Sequence, residues 1–271
     1  MTASESVRPR GTFFRVRVAI LLTILVGVVL WAWRDVRSRR ARTDWNHTVG
    51  VAIVVVRTSA VDEQAVALFR KRASALEDRL ADEMRRHRPG APRPFALTVL
   101  GPVDGVDPPT IEGDGIVAAA QHSMDLWKYT GDIDTRASCA ASAYDSRIYV
   151  AVRAPASEAR QMVEGDSEDG GRVGTVRVEL DPSMVDFAWF VVAHELLHTL
   201  GATDKYDAAG RVVIPDGLAE PDVVPRYPQR FADVMTRGRP VSATEESLPA
   251  ALDELAVGPA TAREIGWLAP P

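Results

Sequence analysis

The chain has 271 residues, 46% hydrophobic and 25% charged, a balance that fits a globular body and excludes a disordered or fibrous one. A single cysteine, Cys139, excludes an internal disulfide, so the fold must rest on its core and on any bound metal. The chain carries −5 and residues 1–44 carry +6, so the remainder carries −11. An acidic body offers no basic stripe to displace phosphate counterions, which argues against a nucleic-acid partner.

The positive charge belongs to the N-terminal end. Residues 1–17 form a basic tail with Arg8, Arg10, Arg15 and Arg17, and Val18 to Trp33 is an uncharged run of 16 residues. A helix of that length falls slightly short of a ~30 Å hydrocarbon core. Phe13, Phe14 and Val16 extend it while Arg15 and Arg17 reach back to the interface, where Trp31 and Trp33 also fit. A cleaved signal needs small residues at its cleavage site, and Trp31-Ala32-Trp33-Arg34 offers a poor one. The run therefore predicts an uncleaved single-pass membrane anchor. Four arginines precede it and five follow, nearly a tie; the expectation is a body outside the cytoplasm.

Residues 34–48 read as an Arg-rich tether, and 49–271 as one domain. Val49–Arg57 is a β-branched run suited to a buried strand. Glu63–His87 has helical spacing, with Val66, Leu68, Phe69, Leu76, Leu80 and Met84 on its apolar side, and Arg88-Pro89-Gly90 ends it. Phe95–Val103 predicts a strand and Gly115–Tyr129 an Ala-rich helix; Arg147–Arg153 and Gly174–Leu180 alternate as further strands of a mixed sheet. The acidic run Glu164–Gly171 predicts a solvated loop, since its spacing does not match a calcium-binding EF-hand. Strands and helices alternating in this order predict a mixed α/β domain.

The chemistry concentrates late in the chain. Ser183-Met184-Val185-Asp186 has the form of a capping box and predicts a helix starting near Met184. That helix is apolar almost all round, as a central buried helix should be. Within it, His194 and His198 stand four residues apart and so project from one face, where two imidazoles can meet one zinc ion. Glu195 lies beside the first and suits a general base. Gly201 lets the helix stop and the chain turn, and Asp204 can then supply a third ligand. Glu220 is the rival third ligand, from a distant segment. His47, His87 and His122 have no ligand spacing with this motif.

The segment His194-Glu195-Leu196-Leu197-His198-Thr199-Leu200-Gly201-Ala202-Thr203-Asp204 resembles the extended signature of the metzincin clan of zinc endopeptidases, in the snapalysin-like variant with aspartate as third ligand. Ala232-Asp233-Val234-Met235-Thr236 is similar to that clan's methionine turn. The resemblance implies a twisted mixed sheet, long helices and a central active-site helix. It implies zinc as cofactor, held by His194, His198 and Asp204, with Glu195 as catalytic base, Met235 beneath the metal and a protein or peptide as substrate. Several metzincins carry a tyrosine two residues after the turn methionine, where this chain has Arg237; Tyr206 and Tyr227 are the nearby substitutes. A catalytically silent binding or assembly module on the same fold is the rival function, and the intact Glu195 weighs against it.

Overall fold

Val51 to Val56 of strand β1 (Val49–Arg57) are fully enclosed, and their alternation assigns the two faces of a sheet. Val51, Ile53 and Val55 point into one apolar cluster, Ala52, Val54 and Val56 into another. A strand walled on both sides has to sit inside an α/β layer structure, which explains its continuous β-branched run. The computed structural model describes residues 10–155, 164–167 and 170–269. Most of the basic tail, and Glu168 and Asp169 of the acidic run, lie outside those residues. The chain divides into two units, one up to Ala41 and one from Arg42 onward.

The first unit is helical. Helix α1 (Arg10–Thr43) has 34 residues, and Phe14, Ile20, Leu21, Leu25, Val28 and Leu30 are each more than half exposed. It is long and apolar enough to cross a membrane, a property that an export signal near an N-terminus shares.

In the second unit five strands line up as β2-β1-β3-β5-β4. Here β2 is Phe95–Asp104, β3 Ser146–Arg153, β4 Glu164–Ser167 and β5 Val173–Glu179. The first four are parallel and β4 runs antiparallel along β5, closing one edge. Helix α2 (Glu63–His87) and helix α4 (Val185–His198) cover one face; helix α3 (Gly115–Ala137) covers the other through Tyr129 and Ile133. Phe69 of α2 stacks on Trp189 of α4 at 4.3 Å, and the Trp189 indole donates to the Phe69 carbonyl. Past α4 only two-residue strands form, β6 (Ala232–Asp233) with β9 (Leu255–Ala256) and β7 (Arg239–Pro240) with β8 (Glu246–Ser247), before the short helix α5 (Pro259–Glu264).

Four local expectations need correction. The acidic run is not all loop: Glu164–Ser167 pairs with Gly174–Arg177, because an edge strand needs only one neighbour and tolerates charge on its open side. Helix α3 runs to Ala137 rather than stopping at Tyr129; Thr130-Gly131-Asp132 looks like a breaker, but Ile133 and Asp134 are needed against the sheet, where Asp134 accepts from the Tyr149 hydroxyl at 2.7 Å. Leu68 is partly exposed, and Ala65 and Ala73 take inner positions on α2 instead. The fourth concerns the supposed capping box, in which Asp186 turns away to a bidentate ion pair with Arg72 (2.6 and 2.7 Å). Asp181 takes over, accepting from the Ser183 and Met184 backbone N–H groups.

The segment read as a tether is structured as well. Helix α1 continues to Thr43, and Arg42 and Trp45 are buried in the second unit. Trp45 meets Phe95 and Trp267 edge-on at 5.7 Å each and donates to the Ile265 carbonyl at 2.8 Å. Trp45→Ala should therefore lower unfolding stability by about 3–5 kcal/mol in denaturant melts of the full chain, as expected for truncating a buried aromatic. A loss below ~1 kcal/mol would show that this segment lies outside the cooperative fold.

Candidate metal centre

The last turns of helix α4 lie against β4, through Ser167 and Glu195, and its C-cap Thr199 meets Ser146 at the start of β3 at 2.9 Å. It stops where Gly201 adopts φ +94°, with the Gly201 N–H bonded to the His198 carbonyl and the Ala202 N–H to the Leu197 carbonyl. A Cβ at Gly201 would meet nothing within 4 Å, so glycine serves the backbone angle there rather than space. The chain then reverses and brings Asp204 back over the helix face that carries His194 and His198.

Each imidazole is fixed by its second nitrogen. His194 Nδ1 lies 2.9 Å from the Val234 carbonyl and His198 Nδ1 lies 2.8 Å from the Ala202 carbonyl. A carbonyl only accepts, so both Nδ1 atoms carry hydrogen and both Nε2 atoms are left to present lone pairs. Those two Nε2 atoms are 3.0 Å apart, and Asp204 Oδ1 stands 3.2 and 3.3 Å from them. Tetrahedral ligands at ~2.0–2.1 Å from a zinc ion are separated by ~3.3 Å, so the donor set has the spacing a metal requires. His194, Glu195 and His198 form a second such grouping, with donor atoms within 4.8 Å of one another. At His194 Nε2, Asp204 Oδ1 at 3.2 Å is nearer than Glu195 Oε1 at 3.9 Å.

The electrostatics follow from this crowding. Burial works to lower the His198 pKa, but Asp204, Glu195 and the Ala202 carbonyl overcome it and hold the imidazolium up to about 9. Burial works the other way on Asp204, where hydrogen bonds from the two histidines keep the carboxyl far below the usual range. Burial raises Glu195, opposed in part by the histidines and by Ser167. Its Oε2 accepts from the Ser167 hydroxyl at 2.6 Å. A Cβ at Gly165 would come within 2.0 Å of Glu195 Oε1, so edge strand β4 can approach the carboxylate only through a residue without a side chain.

Met235 is fully buried, in the turn whose Val234 carbonyl holds His194. Asp233, enclosed and pushed toward its neutral form by burial, binds that turn to α5 by accepting from the Met235 and Gly258 N–H groups and the Thr261 hydroxyl. Among the described residues, Tyr206 is the tyrosine whose ring stacks on His194, at 6.3 Å. The exposed Arg237 places its guanidinium 4.6 Å over the Tyr206 ring. Glu220 is tied through its backbone to Gln229, and no contact among the described residues brings it to the histidines. Ser167 and Gly165 were invisible to sequence reasoning because four residues are too few to show a strand period, and Gly-Asp-Ser reads as turn.

No protein-family model matches the chain, and no curated protein matches it. Among solved structures, that of wild-type OgpA from Akkermansia muciniphila is 13% identical with a TM-score of 0.36, covering 83% of this chain and 64% of OgpA. This chain thus spans less than two thirds of that protein's length, and a likeness of this extent says nothing about activity.

The His198 pKa makes a testable statement about the chain stripped of metal. Its folded-state value of about 9 lies above the ordinary 6.5, so the proton's contribution to stability is complete below pH 6.5 and is lost as pH rises through about 9. The melting temperature of chelator-stripped protein should fall across that window, and Asp204→Ala should flatten the fall. A melting temperature independent of pH from 6.5 to 9.5 in the unsubstituted chain would contradict the arrangement.

Proposed function

We propose that this protein is a membrane-anchored zinc peptidase of the metzincin kind that cleaves a protein or peptide substrate. One observation carries the proposal: the Nε2 atoms of His194 and His198 and Oδ1 of Asp204 converge within 3.0–3.3 Å of one another, with the Glu195 carboxylate beside them. A zinc ion in that position supplies a Lewis acid that acidifies water and polarises a carbonyl.

The chain's own groups do the rest. Glu195, its pKa raised by burial, accepts a proton from the attacking water and passes it to the leaving amine. Ser167 keeps that carboxylate at the strand rather than free to turn, with one oxygen engaged and the other facing the histidines. Strand β4 lies at one edge of the sheet, and among the described residues no strand pairs with its outer side, where an extended peptide could add as one more strand. Tyr206, stacked on His194 and capped by Arg237, is the hydroxyl best placed to donate to the developing oxyanion in lieu of a tyrosine at position 237. On this reading the acidic body argues against a nucleic-acid partner, and α1, long and apolar enough to cross a membrane, is taken as the anchor of an active domain on the extracytoplasmic side.

A purely binding module would have no use for a buried carboxylate perturbed in this way next to a metal site, which favours the catalytic reading. Glu195→Ala should keep stoichiometric zinc and lose peptide cleavage by ~10²–10⁴-fold, because only proton transfer is removed. Comparable turnover in the variant would defeat the mechanism, and zinc-loaded unsubstituted protein that turns over no peptide would favour the binding module. For the ligand set, Asp204→Ala should purify with little zinc and Glu220→Ala with a full equivalent; the reverse would move the third ligand to Glu220. If α1 is an uncleaved anchor, the full-length protein stays in the membrane through a carbonate wash, whereas a soluble form beginning near residue 34 would mark a cleaved signal.

A further inference from the structure

The third ligand is the odd member of the donor set. His194 and His198 ride on a rigid helix, whereas Asp204 sits in a stretch, residues 202–205, with no regular structure, and its side chain is 42% exposed. A carboxylate on such a segment lies within reach of the two histidines only if something outside the segment fixes the backbone. That something is Glu264, the last residue of α5 and 60 positions along the chain. Its carboxylate accepts from the Thr203 N–H and hydroxyl, both at 2.9 Å, and from the Lys205 ammonium at 2.6 and 2.7 Å. Lys205 Nζ also donates to the Thr203 carbonyl and hydroxyl at 3.0 and 2.7 Å, and the Lys205 N–H bonds the Met235 carbonyl at 2.8 Å.

Residues on both sides of Asp204 therefore turn to Glu264, while Asp204 between them turns to the histidines. Lys205 is 5% exposed, and a buried ammonium has to keep its partner, while the Glu264 side chain that supplies it remains 32% exposed. We propose that Glu264, acting through Lys205 and Thr203, is a positioning residue of the metal centre that sets the affinity for zinc by holding Asp204 in place. This rests on the reading of Asp204 as a ligand. It makes α5, at the far end of the chain, a working part of the site rather than a terminal decoration.

The test measures zinc affinity itself, by competition of the full-length chain in detergent with a chromophoric chelator, zinc being the only added probe. Glu264→Ala should weaken zinc binding by ~10–100-fold, the range found for outer-shell partners of metal ligands. In an Asp204→Ala background the same change should cost nothing further, because the residue through which it acts is gone. Should Glu264→Ala strand Lys205 badly enough to prevent folding, Lys205→Met with Glu264→Gln removes both charges together and enters the same cycle. An equal loss in both backgrounds would mark a general structural role and overturn the proposal, as would an unchanged affinity. Zinc affinity untouched by Asp204→Ala alone would instead show that the ligand assignment had failed first.

Discussion

Two imidazole lone pairs held 3.0 Å apart inside a protein repel each other unless a cation lies between them, and the fold of the second unit is arranged around that requirement. Both Nδ1–H groups are spent on carbonyls, so neither ring can relieve the crowding by switching tautomer. The Asp204 carboxylate supplies the opposite charge. Without metal, a proton on His198 can take that place, and Asp204, Glu195 and the Ala202 carbonyl hold its pKa up to about 9 against burial. A metal bound there would compete with that proton for one lone pair, and its affinity would be tied to pH.

The rest of the fold serves that point. The Trp189–Phe69 stack presses α4 against α2 and so fixes the height of the histidines over the sheet. The parallel strands β3 and β5 form the floor, and β4 adds a wall close enough that a glycine is needed opposite Glu195. From the other side, buried Asp233 ties the Val234–Met235 turn to α5, and that turn in turn orients His194. The proposed base and the proposed third ligand are thereby held by different elements. Glu195 depends on the sheet edge through Ser167, and Asp204 on the C-terminal helix.

Much of this was legible in the sequence, for identifiable reasons. Strand β1 and helix α2 matched their expected bounds because each has a long run with one dominant period and a clear stop, such as Arg88-Pro89-Gly90. His194 and His198 could be paired because four residues make one helical turn, whatever the tertiary context. What failed to show were features set by long-range contact. Asp186 looks like a cap until Arg72, 114 residues away, claims it. Thr130-Gly131-Asp132 looks like a stop until the sheet is there to be covered. Strand β4 owes its existence to β5, and four residues of Gly, Asp, Ser and Glu carry no strand signal by themselves. Likewise nothing local in Arg42 or Trp45 says that the last turn of a long apolar helix is built into the body.

The proposed centre is defined by the atoms that would surround a bound metal. Anomalous diffraction at the zinc absorption edge, from crystals of the zinc-loaded protein, measures that directly. It should give one peak at ~2.0–2.1 Å from His194 Nε2, from His198 Nε2 and from an Asp204 carboxylate oxygen, with Glu195 beyond bonding distance and still beside Ser167. A peak that has Glu195 or Glu220 as its carboxylate ligand, or no peak at the histidines at all, would contradict it.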